Sequence, residues 1–159
     1  MPLIQLETFI KASPHVVFDL SRSVDLHKSS MEHHKEKVID GIQKGLLKKG
    51  ETVTWQARHV FRSRKLKVTI TELEAPQFFA DEMIEGDFKK MRHEHLFKTV
   101  KDGTLMIDRF YFESPFGILG SLTNALFLKK YMTRLLLERN KEIKRIAETD
   151  LWKQYLKHD

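Results

Sequence analysis

A chain of 159 residues, 41% of them hydrophobic, fits one domain able to bury its own core without covalent staples. It has no cysteine, which excludes disulfides, thiolate metal ligands and a thiol nucleophile. The net charge is +6 with pI ≈ 9.5, but the lysines are scattered among acids and no nucleic-acid motif occurs, so a solvated basic surface and no nucleic-acid partner are expected.

The first ten residues, MPLIQLETFI, alternate and carry charge, unlike a signal peptide. No apolar run approaches the ~18 residues of a membrane span. A cytoplasmic chain with no integral membrane segment is the expectation, with transient contact at an anionic membrane left open by the basic charge. Leu3 to Lys11 reads as a strand. Ser13 and Pro14 look like the N-cap and first position of a short helix whose apolar side is Val16, Val17 and Leu20. Ser21 to Met31 is polar and reads as a loop with another helical turn; His27, His33 and His34 read as solvated surface histidines. Glu36 to Ile42 is a short strand candidate, and Gly41, Gly45 and Gly50 punctuate the loop after it. The whole Ser21 to Gly50 region is the candidate lid.

From Glu51 the period becomes two. Val53, Trp55, Ala57, His59 and Phe61 share one face, with Val60 on the other; Leu66, Val68 and Ile70 do the same in the next strand. A further strand follows Pro76, with Phe79, Asp81 and Met83 on one face. Phe88 to Val100 and Thr104 to Glu113 form a hairpin through Asp102-Gly103. Read as a two-residue turn, this pairs Lys101 with Thr104, Phe97 with Asp108, His95 with Phe110, His93 with Phe112 and Arg92 with Glu113. One face then holds Met91, His93, His95, Phe97, Met106, Asp108, Phe110 and Phe112. A loop of four or five residues at Gly86-Asp87 places Asp81 near His93.

Beyond Gly117 the period is helical. Leu122, Ala125, Leu128, Met132, Leu135, Leu136, Ile143 and Ile146 form one stripe reaching about Glu148, and Arg139 points inward with it. Leu151, Trp152, Tyr155 and Leu156 suggest a short extra helix folding back. Residues 1–148 are thus one domain and 149–159 an extension. The fold class is α+β: a curved antiparallel sheet of about six or seven strands around a long C-terminal helix, with two short helices after the first strand.

The ionisable face admits several chemistries. Buried histidines paired with acids serve as satisfied core groups. They also orient the head of a ligand in an apolar cavity. His93, His95 and a carboxylate resemble a two-histidine metal site, but spacing fixes no third ligand, so no metal and no cofactor are expected. A His–Asp pair serves as a general base, although no nucleophile motif accompanies it. The candidate ligand-contacting set is Trp55, His59, Phe79, Asp81, Met83, Met91, His93, His95, Phe97, Asp108, Phe110 and Phe112 from the sheet, with Met132, Leu135 and Arg139 from the helix.

Across residues 3–148 the order of these features resembles the helix-grip superfamily of START domains, birch-pollen-allergen-like proteins and polyketide cyclases/dehydrases, and within it the small bacterial members. The likeness rests on Ala12-Ser13-Pro14 with Val17-Phe18-Asp19, Asp25-Leu26-His27, Ser30-Met31 and Gly45-Leu46 through Gly50 to Val53-Thr54-Trp55. It continues through Ala57-Arg58-His59, Phe79 to Met83, Gly86, His93-Glu94-His95, Asp108 and Pro115-Phe116-Gly117 to Gly120. The resemblance implies a sheet gripping the helix over a hydrophobic cavity that holds an apolar or amphipathic small molecule such as a lipid. It implies no particular reaction and carries over no catalytic residue. A cyclase or dehydratase using the His/Asp groups is the alternative, and an interaction module with a filled core is a third.

Overall fold

The computed structural model describes residues 1–59, 61–115 and 121–156, with the backbone alone at 121–124. The expectations for Val60, for the Phe116 to Gly120 stretch, for the helix start at Gly117 and for the side chain of Leu122 lie outside these residues. The strands are β1 (Leu3–Ile10), β2 (Lys37–Gly41), β3 (Thr52–His59), β4 (Arg62–Glu74), β5 (Phe78–Glu85), β6 (Lys90–Val100) and β7 (Gly103–Glu113). The helices are α1 (Pro14–Ser21), α2 (Val24–Ser30), α3 (Ser121–Ala147) and α4 (Trp152–Tyr155), with a 3-10 turn at Glu32–His34. All strands join one antiparallel sheet in the order β1-β7-β6-β5-β4-β3-β2. This is a helix-grip α+β fold, with α3 as the long element inside the grip.

Local chemistry sets the helix entries. The Ser13 hydroxyl accepts from the Val16 N–H and Pro14 occupies the first turn, as the sequence suggests. The helical turn expected within Ser21 to Met31 is a full second helix. The Ser23 hydroxyl caps it by accepting from Leu26 N–H, and Val24 and Leu26 are completely buried. Polar composition hid it, because only three of its seven residues face inward.

The β6–β7 hairpin corrects the expected register by two residues. Val100 pairs with Gly103, so the turn is Lys101-Asp102, with Asp102 at φ 67. Gly103 is required for another reason: a Cβ there would collide with the Ile10 carbonyl oxygen of β1. The observed pairs are His95 with Asp108, His93 with Phe110 and Met91 with Phe112. A shift of two is one full side-chain period, so each residue keeps its face while changing its partner. All eight residues expected on the inner face are buried. The expected Arg92–Glu113 pair does not form: Arg92 bonds Glu72 and Glu94, and Glu113 bonds Lys89. Phe61 also departs from its expected face, since it sits in the β3–β4 turn at φ 63 and is 91% exposed.

The core is one continuous cluster. Within it, α1 lays Phe18 edge-on against Phe79 and Phe97, with ring centroids 5.6 Å and 5.4 Å away. The last turns of α3 add Ile143, Ile146 and Ala147, all buried. Leu151, Trp152, Tyr155 and Leu156 fold back against this core around α4.

Candidate functional site

Between the sheet and α3 lies a cavity of about 790 Å³. On the helix its wall runs from Phe127 and Leu128 through Tyr131, Met132, Leu135 and Leu136 to Arg139, three turns or ~18 Å of α3. At the Phe127 end lie exposed groups: Phe127 is 57% exposed, and Arg64 pairs with Asp87 at 3.2 Å on the surface. At the Arg139 end the polar groups are largely withdrawn from solvent, Asp81 least so with 16% of its side chain exposed. His93, His95 and Arg139 are 6%, 3% and 5% exposed. Trp55, Val53, Val68 and Ile70 of β3 and β4 and Met91 and Phe110 of β6 and β7 supply apolar walls.

The register builds the buried polar end. Asp81 stands opposite His93, and His95 opposite Asp108, on neighbouring strands. Arg139 and Asn140 descend onto this group from α3. Asp108, fully buried, accepts from His93 Nε2 at 2.8 Å, from Arg139 Nη1 at 3.1 Å and from Asn140 Nδ2 at 2.6 Å. Burial pushes its carboxyl up, but the Arg139 charge and the imidazole hydrogen bonds outweigh burial and hold it well below the ordinary value. Asp108 is therefore an anion balanced by Arg139. His95 Nδ1 lies 3.2 Å from Arg139 Nη2 and 3.3 Å from Asp108 Oδ1, and its Nε2 is 2.9 Å from Asp81 Oδ2. That hydrogen bond and the nearby positive groups lower Asp81 despite its burial.

His93 is the group left with free capacity. Burial above all, and then the neighbouring His95, push it down to about 4, against the pull of Asp108. It is uncharged at neutral pH. Its Nε2 donates to Asp108, and its Nδ1 has no hydrogen-bond partner among the described residues. The buried end thus offers a lone pair to the cavity, beside the Asp108–Arg139 and Asp81–His95 pairs.

Of the residues expected at the site, Trp55, His59, Phe79, Asp81, Met91, His93, His95, Phe110, Met132, Leu135 and Arg139 line the cavity. Met83, Phe97, Asp108 and Phe112 do not. Phe97 is roofed by Phe18 of α1. Phe112 is fully buried beside Phe88 and Phe110, and the Met83 sulfur occupies the space beside Gly86. Asp108 acts from behind, through His93 and Arg139.

Several groups at the site carry weaker sequence signals. Asn140 follows Leu136 by four residues, a spacing that marks its inward face. Tyr131, likewise four before Leu135, binds His59 Nδ1 at 2.7 Å. Burial, and then His34 beside it, lowers the His59 pKa. His27 is not a free surface histidine: its ring lies 4.2 Å from that of Trp55, and its Nε2 is 2.6 Å from Glu36 Oε1. His27 lies on the short, mostly polar helix α2, and Glu36 in the irregular stretch after the 3-10 turn, so neither carries a clear periodic signal.

No family model and no curated protein matches the sequence. Solved structures match along nearly the whole chain. TTHA0849 from Thermus thermophilus is 18% identical with a TM-score of 0.70, over 92% of this chain and 99% of that one. A START superfamily protein from Mycobacterium smegmatis is 11% identical with a TM-score of 0.68, over 92% and 97%. The major latex-like protein 151 of Panax ginseng is 16% identical with a TM-score of 0.67, over 93% and 98%. At these identities the likeness establishes the fold they share with this chain. Among the described residues no helix is long and apolar enough to cross a membrane.

Proposed function

We propose that the chain binds one hydrophobic or amphipathic small molecule between sheet and α3, with its apolar body along the helix and an uncharged head at His93. The observation that carries this reading is the cavity itself. Its volume, about 790 Å³, lies within the range usual for small-molecule sites, and its walls are apolar except where a few buried groups converge. A filled core has no use for such a space.

The head-group chemistry follows from charge. Arg139 is matched by Asp108, while Asp81 stays anionic. A carboxylate head would meet two buried anionic carboxylates, with Arg139 already engaged by Asp108 and His95 by Asp81. A hydroxyl would donate to His93 Nδ1 at no electrostatic cost. Lipid-like or polyketide-like alcohols are therefore the favoured class, and transport or sensing is the favoured role. The Asp108–His93 pair has the form of a general base, but a histidine pushed to about 4 is a feeble one at neutral pH. Binding is thus favoured over a cyclase or dehydratase reaction.

The test is titration with dodecanol and with dodecanoate, followed by the fluorescence of Trp55 in the cavity wall. Dodecanol should bind one to one, and dodecanoate at least tenfold more weakly. Leu135→Trp, which fills the space from the helix side, should abolish binding while the protein stays folded. If neither probe binds, and native mass spectrometry of the purified protein finds no retained small molecule, the reading fails.

A further inference from the structure

The geometry points to a second site, independent of the cavity: His33, His34 and Glu138 form a binding site for a divalent transition metal of the zinc class, pinning the 3-10 turn to α3. The Nε2 atoms of the two histidines converge on one carboxylate oxygen, Glu138 Oε2, at 2.9 Å and 3.3 Å. The three ligand atoms all lie within 4.8 Å of one another. Tetrahedral zinc with bonds near 2.1 Å sets its ligand atoms about 3.4 Å apart, so small side-chain movements suffice.

Neighbouring residues on a strand point to opposite faces, so adjacent histidines do not usually meet one partner. Here the 3-10 turn Glu32–His34, closed by Lys35 at φ 53, brings both rings to the same side, with centroids 4.0 Å apart. The position is reachable: the side chains of His33, His34 and Glu138 are 58%, 19% and 34% exposed. Solvent can supply the fourth ligand. The surrounding charge does not oppose a cation. Glu32 and Glu142 flank the site and Arg145 is held by Glu142 at 2.7 Å, against the positive neighbours Lys141 and Lys35.

The inner trio Asp81, His93 and His95 also has ligand atoms within 4.8 Å. It is a poorer site, because both nitrogens of His95 are already engaged and the Arg139 guanidinium stands 3.2 Å away. A dication there would sit beside a buried positive charge.

The consequence of the outer site is mechanical. The His34 ring lies 5.1 Å from that of His59, tilted against it, and His59 lines the cavity. A metal joining residues 33 and 34 to α3 would clamp the segment that flanks the cavity to its helical wall.

Isothermal titration of the whole chain with zinc at neutral pH tests the site. One zinc per chain should bind. His33→Ala, His34→Ala and Glu138→Gln should each weaken it at least tenfold, and the double histidine variant should abolish it. His15→Ala, on α1, should leave it unchanged. Cobalt should give the intense visible bands of tetrahedral coordination in the parent only. Zinc should raise the melting temperature of the parent and not of the double variant, whose circular dichroism reports whether it has folded. Absence of saturable binding in the parent overturns the site. So does binding that survives the double variant, or that is lost instead in His93→Gln.

Discussion

His93 turns a buried position into a measurable pH dependence. In the unfolded chain it titrates near 6.5, and in the fold at about 4. Between these values the unfolded state holds the extra proton, so stability rises with pH across that window and levels off above it. The scale is roughly 3 kcal/mol for a shift of this size. His59, also lowered, acts in the same direction. The depressed carboxyls Asp81 and Asp108 contribute stability that is lost only below the ordinary carboxylate range, further into acid. Urea midpoints measured from pH 4 to 7 should therefore climb in the parent. In His93→Gln, which keeps a donor for Asp108, the climb should be much shallower. An equal slope in both proteins would mean that the ring is protonated in the fold.

Within single elements, burial alone does not separate cavity wall from solid core. Phe110 and Phe112 sit two apart on one face of β7, both buried, yet only Phe110 borders the cavity. Phe112→Ala should cost ~3–5 kcal/mol, and Phe110→Ala clearly less, because part of its environment is already empty. Chemical denaturation of the two variants gives the comparison. Alternation alone identifies the face of both residues, and the faces of His93, His95 and Asp108, because a two-residue slip in register leaves faces untouched. It does not reveal which residues pair. Asp-Gly suggests a turn at its own position, whereas this Gly103 answers to the Ile10 carbonyl of β1, a contact distant in sequence. The inward Arg139 is legible from helical spacing, and Asn140 carries the same signal. Glu36 is not legible, since irregular backbone has no period, and His27 is hidden by the polar composition of the two-turn helix α2. The candidate lid from Ser21 to Gly50 divides likewise. Val24 and Leu26 anchor α2 in the core, and Ser23 bridges to Leu46, while residues 32–43 hold mostly exposed side chains and the edge strand β2. Hydrogen exchange should be fast over 32–43 and slow over 24–30 and 91–112. Uniform protection across the three segments would leave no part of this region as a lid.

At the scale of the whole molecule, the sheet order carries a consequence for how the chain assembles. Strands β2 to β7 follow one another as neighbours, so each pairing closes a short loop. β1 is the exception: Leu3 pairs with Tyr111 and Ile10 with Thr104. β1, made before the other six strands, is thus among the last to find its partner. It remains unpaired until β7 has been made, and closing so long a loop is entropically the costliest step in forming the sheet. Contacts made by β1 should be absent from the folding transition state. Ile10→Val, at a fully buried β1 position, should cost ~0.5–1.5 kcal/mol. Stopped-flow kinetics should show that loss as faster unfolding with an unchanged refolding rate. Slower refolding would mean that β1 and β7 meet early, and that the grip closes around α3 from its seam outward.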